Sequence, residues 1–331
     1  MKAQLGLIIQ KTFSCYLFPR GRSGPPPVLE SALTGQTDQD TATLEGVTVA
    51  VITTLYKADN LSFLDLALAS LETQNGLRRD QIRIYLCCDG PLPKEHETWL
   101  SQNAWRFHLV VRNEENIGLA KSLNRLIERL EDEDFVFRMD GDDICHPDRF
   151  RTQIAYMQAH ATLDLIGCQA WDIDETGAVT GERDFPIDQT SVETVVVKMN
   201  PILHPAYCMR RAMLRIPSIR YPEAYLTEDL GFLVRALEAG MHVGNCPDRL
   251  LSWRLGPNFY ARRTSLRRGL AELKWYSRAV RSQRGLASPA YFYAIARALI
   301  RMMPSSLQAR LYGSGLRKSA LSKAASSETA A

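Results

Sequence analysis

Between Val47 and Met139, short β-rich apolar runs alternate with stretches of helical periodicity, and this alternation is what most restricts the fold. Val47–Leu55, Ile82–Cys88, Phe107–Val111 and Phe135–Met139 are largely apolar, the pattern of strands covered on both faces. Leu61–Leu71, with Leu64, Leu68 and Leu71 at helical spacing, and Leu119–Leu130 predict helices between them. Alternating strands and helices imply right-handed crossovers and an α/β fold, a mainly parallel sheet flanked by helices. Ligands of such sheets gather at the carboxyl ends of the strands. The second run ends there in Asp89 and the fourth in Asp140-Gly141-Asp142-Asp143.

Three carboxylates within four residues cannot enter a core without cations, hydrogen-bond donors or water. A divalent ion bridging to the diphosphate of a nucleotide sugar would supply the missing positive charge. The alternative is an acidic turn in which Asp143 or Asp148 caps the following helix.

The 331 residues suffice for one large α/β domain with an accessory region, or two modest domains. No apolar run reaches the ~18–20 residues that span a bilayer. Leu5–Ile9 is too short and wrongly flanked for a secretory signal. Seven cysteines without paired spacing suggest neither a disulfide framework nor a zinc site, and fit a reducing, cytoplasmic setting. Residues 1–46, with Gly21–Pro27 and the polar stretch Thr34–Thr43, read as a flexible leader in which Leu5–Phe18 could form a short helix.

The net charge of +3 conceals an asymmetry. Residues 256–331 carry 14 Lys/Arg against Glu272 and Glu328, which leaves 26 basic and 35 acidic residues before them. In this tail, the predicted helices Ser265–Val280 and Pro289–Met303 mix arginines with Trp275, Tyr276, Tyr291, Phe292 and Tyr293. That composition suits an anionic membrane surface, or a helical pair packed on the main domain with a solvated basic face. No nucleic-acid motif accompanies the charge. Elsewhere in the second half, Asp164–Cys168 and Trp171–Asp174 flank a sheet edge, and His204–Met209 reads as a short strand. Glu228–Ala239 reads as a helix closed by Gly240.

Seven segments stand in an order that resembles the inverting GT-A glycosyltransferases of family two, over about Val47 to Arg254. They are Leu55-Tyr56-Lys57, Cys88-Asp89-Gly90, Asn116–Lys121, Arg138–Asp143 with Pro147–Phe150, Asn200-Pro201, His204-Pro205 and Thr227-Glu228-Asp229. The resemblance implies a GT-A catalytic domain over residues 47–255, beyond which the charge and helical pattern read as a basic helical extension over 256–331. It implies a nucleotide-sugar donor, UDP-linked, and a glycan or lipid-linked acceptor in surface-polysaccharide synthesis. It implies Asp229 as general base, and Asp89, Asp142, Lys121 and Tyr56 as nucleotide contacts, Asp89 at the uracil and Asp142 at the ribose. It implies Asp143 as ligand of Mn²⁺ or Mg²⁺, with Asp140 and His204 as further candidates. Glu228 is expected to cap its helix, and of the family's two acids before Gly90 the first is replaced by Cys88, while the second, the one expected at the base, is Asp89. A catalytically inactive glycan- or nucleotide-binding scaffold is the alternative. A sugar-nucleotide pyrophosphorylase is disfavoured, because Thr53–Lys57 lacks the glycine-rich basic loop such an enzyme needs.

Overall fold

The computed structural model describes residues 44–256 and 265–302. The short helix expected in the leader and the basic pair Arg262-Arg263 lie outside the described residues.

Nine strands form one sheet in the order β3-β2-β1-β4-β8-β6-β9-β5, with β7 on β6. The strands are β1 (Val49–Leu55), β2 (Ile82–Cys88), β3 (Leu109–Arg112), β4 (Phe135–Arg138), β5 (Ile144–Cys145), β6 (Leu165–Ile173), β7 (Val179–Arg183), β8 (Cys208–Arg210) and β9 (Val243–Arg254). Between and after them come α1 (Leu61–Glu72), α2 (Lys94–Asn103), α3 (Leu119–Ile127), α4 (Arg149–Ala159), α5 (Gln189–Val196), α6 (Glu228–Glu238), α7 (Leu266–Arg284) and α8 (Tyr291–Met302).

The four expected strands pair in parallel, β3-β2-β1-β4. Past β4 the sheet turns mixed. β8 is antiparallel to both β4 and β6, whereas β6 and β9 run parallel. The parallel expectation thus holds for the first half, and the second half is mixed although α4, α5 and α6 lie in its connections. β1 shows why its run is continuous. Val49, Val51 and Leu55 pack into one core with α1 and α4, while Ala50 and Ile52 pack into another with α3 and α6. Helix α1 begins where the Asn60 side chain accepts from the Ser62 and Phe63 amides, at 2.9 and 3.3 Å. Helix α6 ends before Gly240, at φ +79°, as the sequence implied.

Two local expectations are revised. Asp164–Cys168 and Trp171–Asp174 are one strand, β6, in the middle of the sheet. Residues His204–Ala206 form a 3₁₀ turn, because Pro205 fixes the backbone and withholds a ladder donor, and the strand itself is Cys208–Arg210.

Helices α7 and α8 pack on the catalytic unit. Trp275, Tyr276, Ala279 and Val280 of α7 belong to the same buried cluster as Ile52 of β1 and Phe232 of α6. The contact is close at Gly231 of α6. A Cβ there would lie 2.3 Å from Pro222 Cγ and 2.9 Å from Trp275 Cε2, so only glycine admits the indole. Removing a buried indole of this kind costs about 3–5 kcal/mol.

Candidate active site

β4 delivers the acidic turn. Its last residue, Arg138, and the following Met139 are buried, after which the chain leaves the sheet through Asp140-Gly141-Asp142-Asp143 and returns as β5. β5 pairs with the far end of β9, at Ile144↔Ser252 and Cys145↔Leu251, and this pairing brings Arg254 over the turn. The Arg254 amide donates to Asp143 Oδ1 at 2.9 Å, and its Nε donates to the Asp142 carbonyl at 2.8 Å. Its Nη1 donates to the Asp174 and Glu175 carbonyls, its Nη2 is buried without a hydrogen-bond partner, and the guanidinium lies 4.2 Å from the Phe63 ring centroid.

Oxygens of Asp140, Asp142 and Asp143 lie within 4.8 Å of one another. Asp143 is fully buried, and its Oδ2 has no hydrogen-bond partner. Burial holds the Asp143 carboxyl well above the usual carboxylate range, and the charges of Asp142 and Asp140 add to this. Asp142 opens to solvent yet sits within a concave acidic wall. Dehydration there, with the charges of Asp140 and Asp59, pushes it up to about 6. Asp59, at the rim after β1, is also pushed up to about 6, first by dehydration and further by Asp140. Its Oδ2 accepts from the Tyr56 amide at 2.7 Å, so Tyr56 stands beside the same acidic wall. Arg138 pairs with Asp140, while its Nε and Nη1 remain buried without partners.

Crowded, dehydrated carboxylates with an orphaned oxygen fit a hard divalent cation that prefers oxygen ligands. Asp140, Asp142 and Asp143 together meet that requirement. His204 does not belong to the group. Its Nε2 meets the Tyr221 hydroxyl at 2.9 Å, and its ring packs edge-on against Tyr207 and Tyr221. Burial, with the Arg138 charge, holds it well below the ordinary histidine range, and the 3₁₀ turn faces it into the core. The expectation that His204 ligates metal is therefore corrected.

Asp229 lies in the first turn of α6, half-buried, and its Oδ2 accepts from Asn200 Nδ2 at 2.8 Å. The motif residue Asn200 thus orients the expected base. The N-cap residue Thr227 makes no side-chain capping bond; the Glu228 carboxyl meets its own backbone amide at the helix start, and burial and the neighbouring Asp229 push it up to about 7. The Arg138 charge acts on Asp140 and Asp143 and also on Glu228, so one guanidinium stands between the two acidic groups.

Asp89 has a different task from the one expected. Its two oxygens accept from Asn113 Nδ2 (3.0 Å), the Ile117 amide (2.9 Å), Asn116 Nδ2 (3.0 Å) and the Gly118 amide (3.0 Å). Four donors fill the four lone-pair directions of a carboxylate and leave none for a uracil imide. Asp89 ties the loop Asn113–Gly118 beneath the strand ends. Lys121, in the first turn of α3, pairs with Glu223 at 3.1 Å on the surface. No role for Asp59 or Arg254 was legible in the sequence. Arg254 had one detectable signal, a cation closing the mostly apolar stretch Leu250-Leu251-Ser252-Trp253.

The model of Glycosyl transferase family 2 matches residues 50–215. The amylovoran biosynthesis glycosyltransferase AmsE of Erwinia amylovora is 30% identical over 265 residues, which are 80% of this chain and 97% of that protein. A UDP-Gal:alpha-D-GlcNAc-diphosphoundecaprenol beta-1,3-galactosyltransferase of Escherichia coli is 23% identical over 273 residues, covering 81% and 96%. Among solved structures, the mannosyltransferase PcManGT of Pyrobaculum calidifontis, in complex with GDP-Man and Mn²⁺, superposes with a TM-score of 0.53 at 14% identity, over 92% of this chain and 87% of that one. That likeness shows the fold, a GT-A arrangement. The acidic turn at the end of β4 and the acid pair opening α6 are thus carried on the frame expected for them, and the chain belongs to glycosyltransferase family 2.

Proposed function

We propose that the protein transfers a hexose from a UDP-sugar to a lipid-linked saccharide, with inversion at the anomeric carbon, at the cytoplasmic face of a membrane. The observation that carries this reading is the group Asp140, Asp142 and Asp143, with the unpartnered Asp143 Oδ2 at its centre. Mg²⁺ or Mn²⁺ held there would neutralise a departing diphosphate as a Lewis acid. The named activities of the two relatives, in amylovoran synthesis and on a diphosphoundecaprenol-linked sugar, support a polysaccharide acceptor on a lipid.

Asp229, oriented by Asn200, accepts the proton of the acceptor hydroxyl as that oxygen bonds to the anomeric carbon. The bond from that carbon to the phosphate oxygen breaks as the new bond forms, and the electron pair leaves with the nucleotide. With no enzyme nucleophile, one displacement inverts the centre. Asp142 contributes to the cation site and to the ribose side of the donor. Tyr56 stands at the strand end, where it flanks the nucleoside. Lys121 reaches the phosphates after releasing Glu223, an exposed pair worth at most ~1 kcal/mol. Arg254 holds the Asp142–Asp143 backbone in its binding shape.

Isothermal titration with UDP-sugars, with and without Mn²⁺, tests the reading. Metal-dependent binding that Asp143→Ala abolishes is the expected result. Donor binding indifferent to metal would refute the cation site, and donor binding without any transfer would favour the scaffold.

A further inference from the structure

Helices α7 and α8 form an antiparallel hairpin. The start of α7 meets the end of α8, since a Cβ on Gly269 would lie 2.9 Å from Met302 Cε and 3.0 Å from the Ala298 carbonyl. The seam is polar at its centre. Glu272 is buried between Arg268 (3.0 Å), Arg297 (3.3 Å) and Arg301 (2.8 Å).

Away from the seam, each helix exposes an apolar stripe. On α7 this is Leu266 and Leu270; on α8 it is Phe292, Ile295, Leu299 and Met302, at i, i+3, i+7 and i+10. Leu266 is 63% exposed, Phe292 70% and Leu299 55%, which no residue of a settled core would be. At 3.6 residues per turn, each stripe lies roughly 100° round its helix from the seam. Because the helices run antiparallel, the two rotations carry both stripes to the same side. Met302, lying over Gly269, joins them.

A cavity of about 510 Å³ opens at the other end of the hairpin, where α8 begins. Its lining includes Thr194, Lys198, Arg284, Ser288, Phe292 and Tyr293. Arg284 donates to Thr194 Oγ1 at 3.1 Å, and Lys198 Nζ lies 5.2 Å from the Tyr293 ring centroid. Among the described residues neither cation has a carboxylate partner. Phe292 belongs both to this cavity and to the apolar face. Residues 265–302 carry eight Lys/Arg against one acid, Glu272, which its arginines already neutralise.

The geometry points to this hairpin as a seat for an anionic phospholipid bilayer. The face Leu266, Leu270, Phe292, Ile295, Leu299 and Met302 enters the boundary between headgroups and acyl chains, and Lys198 and Arg284 receive a lipid phosphate in the cavity beside it. A continuous apolar face bordered by unpaired cations is complementary to such a surface on both counts. The inference rests on the membrane-surface reading above but uses none of the donor-site residues.

The test is co-sedimentation of the full chain with vesicles of phosphatidylglycerol mixed with phosphatidylcholine, and with phosphatidylcholine alone. Binding to the anionic vesicles that weakens as salt rises is expected. Ile295→Glu with Leu299→Glu should lower the partition coefficient at least about tenfold. Lys198→Gln and Arg284→Gln should each lower it about fivefold. These positions are at least partly exposed, so an unchanged melting temperature keeps loss of binding distinct from loss of fold. Equal binding to both vesicle types, wild-type binding by the Glu variant, or no binding by the full chain would each overturn the proposal. So would a concentration-dependent dimer in sedimentation velocity that the Glu variant abolishes, which would assign the face to a second copy. Metal-dependent UDP titration of the same variants should be unchanged. Its failure in the wild type would sink the transferase reading while leaving the vesicle result standing.

Discussion

Two buried acidic sites in this protein are built on opposite principles. Glu272, in the hairpin, has three arginines for one carboxylate. The turn after β4 has three carboxylates for the one arginine that pairs with them through its side chain, Arg138, and Asp143 Oδ2 is left without a donor. Their acidities follow: the arginines hold Glu272 below the usual carboxylate range despite its burial, whereas Asp143 is driven well above it. A buried acid surrounded by cations is cross-bracing. A buried acid crowded by two further acids and short of cations has the chemistry of a cation site.

The largest effect that would sharpen this contrast concerns turnover. Asp229→Asn should cut transfer by about 10²–10⁴-fold with donor affinity unchanged, measured by single-turnover kinetics and titration. Near wild-type rates would remove Asp229 from the chemistry. Next comes stability. Glu272→Ala leaves the buried Arg268 and Arg301 and the half-buried Arg297 uncompensated and should cost about 3–5 kcal/mol in denaturant unfolding. Asp143→Asn should leave the metal-free protein at least as stable while removing any rise in melting temperature on adding Mn²⁺. Equal destabilisation by both would erase the distinction.

A smaller effect lies in orientation. Asn200→Ala removes the hydrogen bond that aims Asp229 and should lower kcat roughly tenfold with little change in donor affinity. A pure rise in KM would mean that Asn200 binds acceptor instead.

The smallest effect is a pair of opposite pH slopes. Glu272, depressed, contributes stability that is present above the ordinary glutamate value of 4.5 and lost as pH falls through its lower folded value. Glu228, raised to about 7, contributes fully below 4.5, and that contribution is lost as pH rises toward 7. Glu228→Gln should therefore flatten the decline in stability between pH 4.5 and 7, and Glu272→Gln the decline at acid pH. Identical slopes in the two variants would contradict the assignments.

What the sequence made legible was local. The runs that became β1, β2 and β4 announce themselves because both faces of each strand are covered, so apolar residues persist, whereas β3 is a half-covered edge strand. Asp140, Asp142 and Asp143 are conspicuous for the opposite reason, as charges where the pattern demands hydrocarbon. Long-range pairing was not legible. That Arg254 lies over Asp143 depends on β5 meeting the end of β9, across about a hundred residues of chain. The saturation of Asp89 depends on a loop folding back beneath it, and the sequence showed only an acid followed by Gly90 and Pro91. His204 misled for a related reason. Its motif marks a position in the chain, but the Tyr221 hydroxyl that takes its ring nitrogen lies 17 residues on.

The contact at Gly231 has a consequence for how reaction and surface are kept in step. Helix α6 carries Asp229 on its first turn and, two residues later, bears on the Trp275 ring with no side chain between them. The hairpin is thereby fixed to the backbone that holds Asp229, without a compressible spacer. On the membrane-seat proposal, the surface under the hairpin would set the height of Asp229 above it. In that sense the indole is the gauge block of the enzyme, and a methyl group at residue 231 would miscalibrate it without touching a single group that does chemistry.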